Sequence, residues 1–380
     1  MKIILAWLHI HPDVLEGGGT FLSELATEFS KKKIETIFLA PFVRGKEEYK
    51  IVNYMKGKSI LRYFVAAKKY KDAIKKHSKQ GDIIHCLLPA PSFSRISDKI
   101  SKFNKNVYVT FGNPLWDKTD KTSFSKQQLV HRILKSRILA RLSKFKANKY
   151  IVSTKHQKDE LIGMVSANKI EVIPNGISLE NFKPYNKKKA RKEFGICDGK
   201  IISYIGHFST TKGISDLVEA FEILKKQGEN IKLTIAWSGK GDINKQILNK
   251  INMYRKTKDI MLFYTVDVRK FLAASDMLVI PYRATYGTYN YPSTILEAFG
   301  MKKPVISTST GCINELISNN VNGILVQRSN PTRLAEAIVN LFGDKKLYNK
   351  IRKNAYDKIR KEHDIKIIAK KYLKIFGIEK

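Results

Sequence analysis

Residues 291–308, YPSTILEAFGMKKPVIST, combine hydroxyl and acidic residues in a way that suits the binding of a phosphorylated ligand. The segment follows the apolar run MLVIPY at 277–282 and ends in another apolar run, PVIST, at 304–308. A helix that begins between two buried parallel strands directs free amides and the positive end of its dipole at an anion. This helix carries one acid, Glu297, near its start. A glutamate at this place can hold a ribose diol with two hydrogen bonds.

The spacing of Thr294 and Glu297 also matches a capping box. In a capping box the glutamate bonds back to the backbone of its own helix and has no role in binding. The position of Glu297 after a late strand of the chain favours a ligand, because strand carboxyl ends border the binding crevice of doubly wound sheets. The sequence leaves both interpretations open.

A second candidate segment is the loop at residues 206–213, GHFSTTKG, which lies between an apolar run and an amphipathic one. It brings together the imidazole of His207, the hydroxyl of Ser209 and the ammonium of Lys212. These are groups that can bind a diphosphate. The alternative is that one of the hydroxyl residues only caps the following helix.

A third candidate segment is the glycine run at 17–19, which precedes a helical pattern with apolar residues at 21, 22, 25, 26 and 29. Gly18 and Gly19 allow a phosphate to approach the backbone closely at the positive end of a helix. The alternative is an ordinary tight turn between a strand and a helix. The run is neither a Walker loop, since GK[ST] is absent, nor a GxGxxG motif.

Apolar runs alternate with amphipathic segments along most of the chain, which predicts an α/β fold. The runs are continuous, as is typical of parallel strands covered on both faces. The pattern restarts after a break within residues 176–198, and 380 residues suffice for two cores. We therefore expect two doubly wound, Rossmann-like domains that face a cleft. The predicted strands are residues 2–8, 36–42, 82–88, 107–111, 150–154, 171–175, 201–206, 232–237, 260–265, 277–282 and 304–308.

The chain is strongly basic, with 70 Lys and Arg against 34 Asp and Glu and a formal net charge of +36. An AT-rich genome explains part of the lysine excess but not the scarcity of acids. The balance predicts a polyanionic partner, which could be a membrane surface, a nucleic acid or an acidic substrate.

Other features favour a globular cytoplasmic protein. Cys86, Cys197 and Cys312 lie far apart without CxxC spacing, so neither a disulfide framework nor a metal cluster is indicated. The apolar start of the chain has no small-residue cleavage site and is interpreted as a strand rather than a signal peptide. No run of about 18 apolar residues is present to span a membrane.

Five segments of the second half resemble a known family. They are, in order, IEVIPNGISLENFKP, YIGHFSTTKGISDLVEAF, KLTIAWSGKGD, YPSTILEAFGMKKPVISTSTGCINELI and NNVNGILVQRSNPTRLAEAI. They are similar to the donor-binding half of the GT-B glycosyltransferases, within the large retaining family 4-like set known as glycosyl transferases group 1. The resemblance covers about residues 149–345, and the first half is similar only through its glycine run and strand order.

The resemblance implies a role for each part of the chain. Residues 1–180 would form an acceptor-binding domain and residues 181–360 a donor-binding domain for a nucleotide-diphosphate sugar. Residues 361–380 would form a C-terminal helix that packs back toward the first domain.

The resemblance also implies roles for single residues. Lys212 matches a family lysine that contacts the donor diphosphate. Glu297 matches the second glutamate of the family's E-x7-E motif, which binds the nucleotide ribose. The remaining positions matched to the diphosphate site are Gly18, Gly19, and Thr294 and Ile295 through their backbone amides.

The sequence departs from the family pattern at three positions. His207 stands in place of a family arginine beside the diphosphate, and Gly112 aligns with a family histidine. The first glutamate of E-x7-E, which usually touches the transferred sugar, would fall at Tyr289. The donor hydroxyls must then be read differently, for example by Asn290 or by a backbone amide.

The implied chemistry needs neither a protein nucleophile nor a cofactor. Members of this family are thought to retain configuration by front-face attack, with the leaving phosphate as the base. GT-B enzymes generally need no divalent metal, and no Asp-rich cluster argues for one here.

Two segments of the first half are especially basic. Residues 121–149 hold nine Lys and Arg and no acid, and residues 56–79 include only Asp72 as an acid. The first segment has a helical apolar stripe, so a docked helix with a solvated basic face is one interpretation. An anionic membrane surface is the other, and it would favour a lipid-linked or membrane-embedded acceptor. The stripe consists of Leu129, Ile133, Leu134, Ile138, Leu142 and Phe145.

The sequence thus predicts a retaining glycosyltransferase that is peripheral on the inner face of the cell membrane. It would move a sugar to a lipid-linked glycan, lipopolysaccharide or glycolipid acceptor. The rivals are a nucleotide-sugar epimerase or an inactive subunit of the same fold. Nucleic-acid binding is disfavoured, because no reading helix, RNP motif or zinc site is recognisable.

Overall fold

The chain forms two parallel β-sheets that are covered by helices. The computed structural model describes residues 1–8, 17–41, 49–53, 62–112, 140–141, 144–196, 199–237, 239, 244–264, 266–284 and 292–378. Apart from Phe145, the residues of the apolar stripe in segment 121–149 lie outside these residues, as do the two sugar-reading candidates, Tyr289 and Asn290. Within the described residues, no helix combines the length and the apolar character needed to cross a bilayer.

The first sheet has seven strands in the order β3-β2-β1-β4-β5-β6-β7, all paired in parallel. The reversal of strand order between β1 and β4 is the switch point at which such sheets bind ligands. The strands are β1 (Ile3–Trp7), β2 (Thr36–Ala40), β3 (Lys50–Asn53), β4 (Ile83–Leu88), β5 (Val107–Phe111), β6 (Lys149–Val152) and β7 (Ile170–Val172).

The second sheet has six parallel strands in the order β10-β9-β8-β11-β12-β13. This is the doubly wound order, with its switch point between β8 and β11. The strands are β8 (Lys200–Ile205), β9 (Ile231–Trp237), β10 (Ile260–Tyr264), β11 (Met277–Ile280), β12 (Val305–Thr308) and β13 (Ile324–Val326).

Helices connect the strands and cover both faces of each sheet. In the first half of the chain they are α1 (Gly17–Lys31), α2 (Arg62–His77), α3 (Arg95–Ser101), α4 (Lys155–Leu161) and α5 (Lys187–Glu193). In the second half they are α6 (Ile214–Lys226), α7 (Lys245–Lys256), α8 (Val268–Ala274), α9 (Ser293–Gly300), α10 (Ile313–Leu316), α11 (Pro331–Gly343), α12 (Lys345–Lys358) and α13 (Ile365–Ile375).

The continuous apolar strands are buried on both faces, as their sequence predicts. Every residue of β1, β2, β4, β5, β11 and β12 is buried. Each sheet therefore has two apolar cores, one on each face. The predicted fold, two Rossmann-like domains, is confirmed.

Two strands and one helix boundary differ from the sequence prediction. The short strands β3 and β13, both at sheet edges, are not among the predicted ones. Their burial is partial, so their sequences lack the long apolar run that marks a central strand. Helix α1 begins at Gly17, so the glycine run forms its first turn rather than a turn before it.

Helix α13 packs against the first sheet after the chain has built the second one. Its residues share an apolar core with β1, β4 and α1. The Tyr372 and Thr110 hydroxyls are 3.2 Å apart, and the Phe21 and Tyr372 rings lie 6.1 Å apart. The two segments in which the chain crosses between the domains, at Ile177 and at residues 363–365, pair with each other. Ile177 N donates to His363 O and Ile365 N donates to Ile177 O, both at 2.9 Å.

Two carboxylates also join the domains. Both oxygens of Glu315, in α10, accept backbone N–H groups of Lys155 and His156 at 2.9 Å and so cap the start of α4. Glu24 of α1 accepts the N–H of Ser178 in the connecting segment at 3.0 Å. These contacts position the two sheets so that their switch points face each other.

Candidate functional site

The N-termini of two helices from different domains meet in the cleft. Helix α1 begins at Gly17 beyond the end of β1, and α9 begins at Ser293 beyond the end of β11. A β-carbon placed on Gly17 would lie 3.4 Å from the hydroxyl oxygen of Ser293. Since the first amides of a helix have no intrahelical acceptor, two sets of free donors and two positive dipole ends converge here. This arrangement suits an anion.

Gly18 and Gly19 are both buried in the first turn of α1. A β-carbon on Gly19 would lie only 2.5 Å from the indole ring of Trp7, the last residue of β1. Any larger residue at this position would force the Trp7 ring to move, so glycine allows α1 to pack closely on its own strand. The close packing brings the start of the helix up to the cleft.

A narrow pocket separates α1 from α9 and continues to the segment that connects the domains. Glu24 and Glu297 reach it from opposite domains, and Phe21 and Phe182 contribute its apolar walls. The lining residues are Gly17, Thr20, Phe21, Glu24, Asn175, Gly176, Ile177, Phe182, Ser293, Leu296 and Glu297.

Glu297 lines this pocket, and its carboxyl bonds to the side chain of Ser293 at the start of its own helix. Burial, and secondarily the charge of Glu24, raise the pKa of Glu297 to about 7, while a hydrogen bond from the Ser293 hydroxyl opposes the shift. Helix α9 has Pro292 as its N-cap and no side-chain capping bond. The capping-box interpretation is therefore wrong.

The hydroxyl of Thr294 bonds to the buried Tyr282 rather than acting as a cap. The amide of Ile295, a predicted diphosphate donor, bonds to the carbonyl of Pro292 at 3.0 Å. The amides of Ser293 and Thr294 precede it at the open end of the helix. An anion at the start of α9 would therefore meet the amides of Ser293 and Thr294 first, and that of Ile295 only after them.

The loop at 206–213 is held against the end of β11. Gly213 has φ = 66°, and a β-carbon on it would lie 1.8 Å from the carbonyl oxygen of Pro281. The carbonyl of Thr211 accepts the N–H groups of Arg283 at 2.9 Å and Ala284 at 3.2 Å. Arg283 in turn pairs with Asp216 of α6, with Nε to Oδ2 at 2.8 Å. These bonds place the loop beside the approach to α9.

Within this loop, Ser209 has a capping role. Its hydroxyl accepts the N–H of Lys212 at 3.3 Å and caps the 3-10 turn Thr210–Lys212, whereas α6 has no side-chain cap. The side chain of Lys212 passes Gly206, where a β-carbon would lie 3.4 Å from its Cδ. The carbonyl of His207 accepts the hydroxyl of Tyr204 at 2.9 Å. Ser209 thus has a structural contact within the loop, and the backbone of His207 is bonded to β8.

Aromatic residues at the ends of β9 and β10 were not among the predicted site residues. Trp237 stacks on Phe208 with ring centroids 4.3 Å apart, and Tyr264 lies 5.5 Å from Trp237. Tyr264 is 56% exposed. The signal was present, since the apolar runs that form these strands both end in aromatic residues at the carboxyl edge of the sheet. Among the described residues, no group of three or more His, Cys, Asp and Glu side chains could hold a metal.

Two parallel doubly wound sheets that face a cleft, with helix N-termini at both switch points, define the GT-B class of fold. The sequence model of the family described as glycosyl transferases group 1 matches residues 186–358. That of glycosyltransferase family 4 matches residues 15–181, so the two together account for most of the chain. The second half of the chain thus belongs to the glycosyl transferases group 1 family, and the first half matches glycosyltransferase family 4.

Known proteins support this assignment. The capsular polysaccharide biosynthesis glycosyltransferase CapM of Staphylococcus aureus is 25% identical over 240 residues, which are 61% of this chain and 62% of CapM. The chain thus matches about three fifths of the length of that relative.

Solved structures share the whole fold. The structure of HepE from Anabaena in complex with UDP-glucose has a TM-score of 0.77 at 18% identity and covers 99% of this chain and 100% of its own. Sucrose-phosphate synthase from Thermosynechococcus elongatus has a TM-score of 0.80 at 18% identity and covers 99% of this chain and 98% of its own.

Proposed function

We propose that this protein transfers a sugar from a nucleotide-diphosphate sugar to an acceptor, with retention of configuration. The observation that carries the proposal is the meeting of the α1 and α9 N-termini in the cleft, with Glu297 in the pocket between them. Family membership supports a sugar-transfer reaction, and HepE, a protein of the same fold, was solved with UDP-glucose.

In this proposal the donor lies across the carboxyl edge of the second sheet. Its diphosphate faces the first amides of α1 and α9 and the ammonium of Lys212. Glu297 holds the ribose diol. The base stacks on the aromatic face formed by Trp237 and Tyr264, since a flat exposed ring gives a nucleobase both apolar contact and a defined orientation.

The rate would come from positioning and from electrostatic stabilisation of the leaving diphosphate. Helix N-termini and a lysine are aimed at the place where negative charge grows as the glycosidic bond breaks. The leaving phosphate would act as the base for the incoming hydroxyl, so no protein nucleophile and no metal are needed. Tyr289 and Asn290 are our candidates for contacts to the transferred sugar.

We further propose that the acceptor is lipid-linked or membrane-bound at the cytoplasmic face of the membrane. Helix α2 buries Ala66, Tyr70 and Ile74 along one stripe. Its opposite face exposes Lys68, Lys69, Lys75 and Lys76. Each lysine near an anionic leaflet contributes roughly 1 kcal/mol of attraction, so this face could hold the protein on a membrane. CapM, a relative, is named for capsular polysaccharide biosynthesis.

Calorimetric titration with nucleotide sugars tests the donor site. We expect Glu297→Ala and Lys212→Ala each to weaken binding about 10- to 100-fold, since each removes a charge-assisted contact of roughly 1.5–3 kcal/mol. Glu336→Ala and Lys350→Ala are matched controls, because both residues are exposed on α11 and α12 away from the cleft. Unchanged affinity in the first pair would show that the donor binds elsewhere.

A transfer assay then separates the reaction from its rivals. The proposed enzyme releases the nucleotide only slowly without an acceptor, whereas an epimerase converts the donor alone and an inactive subunit converts nothing. Polar lipid extracts and short glycans would serve as acceptors. The anomeric configuration of the product, measured by NMR, tests retention.

A further inference from the structure

A second cleft lies at the opposite edge of the second sheet from the candidate donor site. It is bordered by the start of β8, the turn after α9 and the first two turns of α12, and it has a volume of about 550 Å³. Strand β8 runs from this cleft to the loop at 206–213. At about 3.3 Å per residue, its six residues keep the two places roughly 17 Å apart.

The lining of this cleft is strongly cationic. Six of its side chains are basic and a single one, Asp276, is acidic. The basic residues come from separate segments of the chain and are Lys187, Lys200, Lys302, Lys303, Lys345 and Arg352.

The single acid is already engaged by the protein. Asp276 pairs with Lys187, accepts a bond from Arg191 at 3.1 Å and accepts the N–H of Ile201 at 2.8 Å. It therefore has little capacity to neutralise the other cations of the cleft.

Two of the lysines also have structural partners. Lys303 donates to the carbonyls of Ala273 at 3.1 Å and Ser275 at 2.7 Å, at the end of α8, which accounts for its position. Lys200 lies 3.7 Å from Glu229. Burial lowers the pKa of Lys303 to about 8, and the charges of Lys187 and Arg352 contribute in the same direction.

Besides Lys303, whose partners are backbone carbonyls, three cations have no carboxylate partner among the described residues. The guanidinium of Arg352 is fixed by the carbonyl of Lys302 at 3.0 Å, and the ammonium of Lys302 lies 4.4 Å from the centre of the Tyr356 ring. Lys345 occupies the first turn of α12, where the helix dipole disfavours a cation. The helix itself does not explain the placement of Lys345.

We propose that this cleft is a second anion site, which binds a ligand with at least two negative charges on phosphate groups. Converging like charges in a concave site raise its potential, and an anion that enters is attracted by all of them together. Guanidinium and ammonium groups are the side chains that bind phosphate oxygens. The ligand is either a soluble phosphorylated compound or the headgroup of an anionic lipid, since both present this chemistry.

Pyrophosphate titration of the full chain tests the site, with UDP added at saturation so that the donor cleft is occupied. We expect Lys302→Glu and Lys345→Glu each to weaken the binding of pyrophosphate at least tenfold. Lys346→Glu is the matched control, because Lys346 follows Lys345 on α12, is exposed and lies outside the cleft. It should change the affinity less than twofold. Equal losses in all three variants, or none in any, would overturn the proposal.

Co-sedimentation with cardiolipin vesicles, compared with phosphatidylcholine vesicles, identifies the source of the phosphate. If the ligand is a lipid headgroup, both cleft variants bind cardiolipin vesicles at least threefold more weakly than Lys346→Glu, and pyrophosphate competes with the vesicles. If the ligand is soluble, only pyrophosphate binding distinguishes the cleft variants from the control. Lys345→Gln, which removes one charge without adding an opposite one, should give an intermediate loss in whichever assay responds, and no loss there would count against the site.

Discussion

The two domains present the same edge to the cleft, but they build it in different ways. At the start of α1 the first domain offers the backbone of a glycine run, in which Gly19 is packed against Trp7. The second domain offers side chains, namely Lys212, Ser293 and Glu297, and backbone hydrogen bonds hold the loop of Lys212 against the segment after β11. The first domain's side of the cleft depends on close packing, and the second domain's side depends on polar and charged side chains. Substitutions on the two sides should therefore impair the protein in different ways.

The largest expected effect is on the second side. Gly213→Ala would place a β-carbon 1.8 Å from the backbone oxygen of Pro281, and the residue has φ = 66°. Because a backbone carbonyl cannot move aside as a side chain can, we expect a loss of about 3 kcal/mol or more in the free energy of unfolding. Urea denaturation measures it.

Gly228→Ala is the matched control for this substitution. Gly228 also has a positive φ, 76°, but a β-carbon there meets nothing within 4 Å. Gly228→Ala should lower the free energy of unfolding by only about 1–2 kcal/mol, because it introduces backbone strain but no steric overlap. If the two variants were equally stable, the contact with Pro281 would not be what fixes the loop.

On the first side, Gly19→Ala should destabilise the protein by about 1–3 kcal/mol, since the new methyl group would overlap the ring of Trp7. Gly17→Ala, two residues earlier, has a nearest contact of 3.4 Å and should leave stability almost unchanged. The added methyl group would narrow the space between α1 and Ser293. Gly17→Ala should therefore weaken nucleotide binding, which calorimetry measures. If Gly17→Ala destabilised the protein and Gly19→Ala did not, close packing against Trp7 would not explain the glycine run.

The smallest expected effect concerns pH. The pKa of Glu297 is raised to about 7 from an ordinary value of 4.5, so between these values the native protein keeps a proton that the unfolded chain has lost. The free energy of unfolding should therefore fall as pH rises through this window, by something on the order of 1–2 kcal/mol. Comparison of urea denaturation at pH 4.5 and pH 7.5 measures the fall.

Glu297→Gln should remove this part of the pH dependence and make the protein relatively more stable at pH 7.5. Glu336→Gln is the control, because Glu336 is exposed and pairs with Arg333 at the surface. An unaltered slope in Glu297→Gln would mean that the carboxyl of Glu297 is better solvated than its surroundings indicate.

The central part of the fold was predictable, because a strand buried on both faces must be apolar throughout. Apolar runs such as those of β1, β4 and β11 have few possible environments other than the centre of a sheet covered on both faces. The edge strands β3 and β13 were missed because one side of an edge strand meets solvent or a loop, which relaxes the apolar requirement. The helical start at Gly17 was missed because glycine is a poor helix former.

The candidate site was predictable in outline but not in its bonding. The order of strands places the loop at 206–213 and the start of α9 side by side, as the sequence indicated. Whether Glu297 turns inward or outward depends on Glu24, Ser293 and Pro292, two of which are close in sequence and one of which lies in the other domain. The roles of Tyr289 and Asn290 stay predictions, as does that of His207.

The packing of α13 on the first sheet has a consequence for how the protein is made. Residues 365–376 leave the ribosome after the whole second domain, yet Ile368, Tyr372 and Phe376 complete an apolar core of the first. During synthesis one face of the first domain therefore stays uncovered until some two hundred further residues have been added. Fragments that end near residue 180 should therefore be prone to aggregate, because they lack the helix that covers this face.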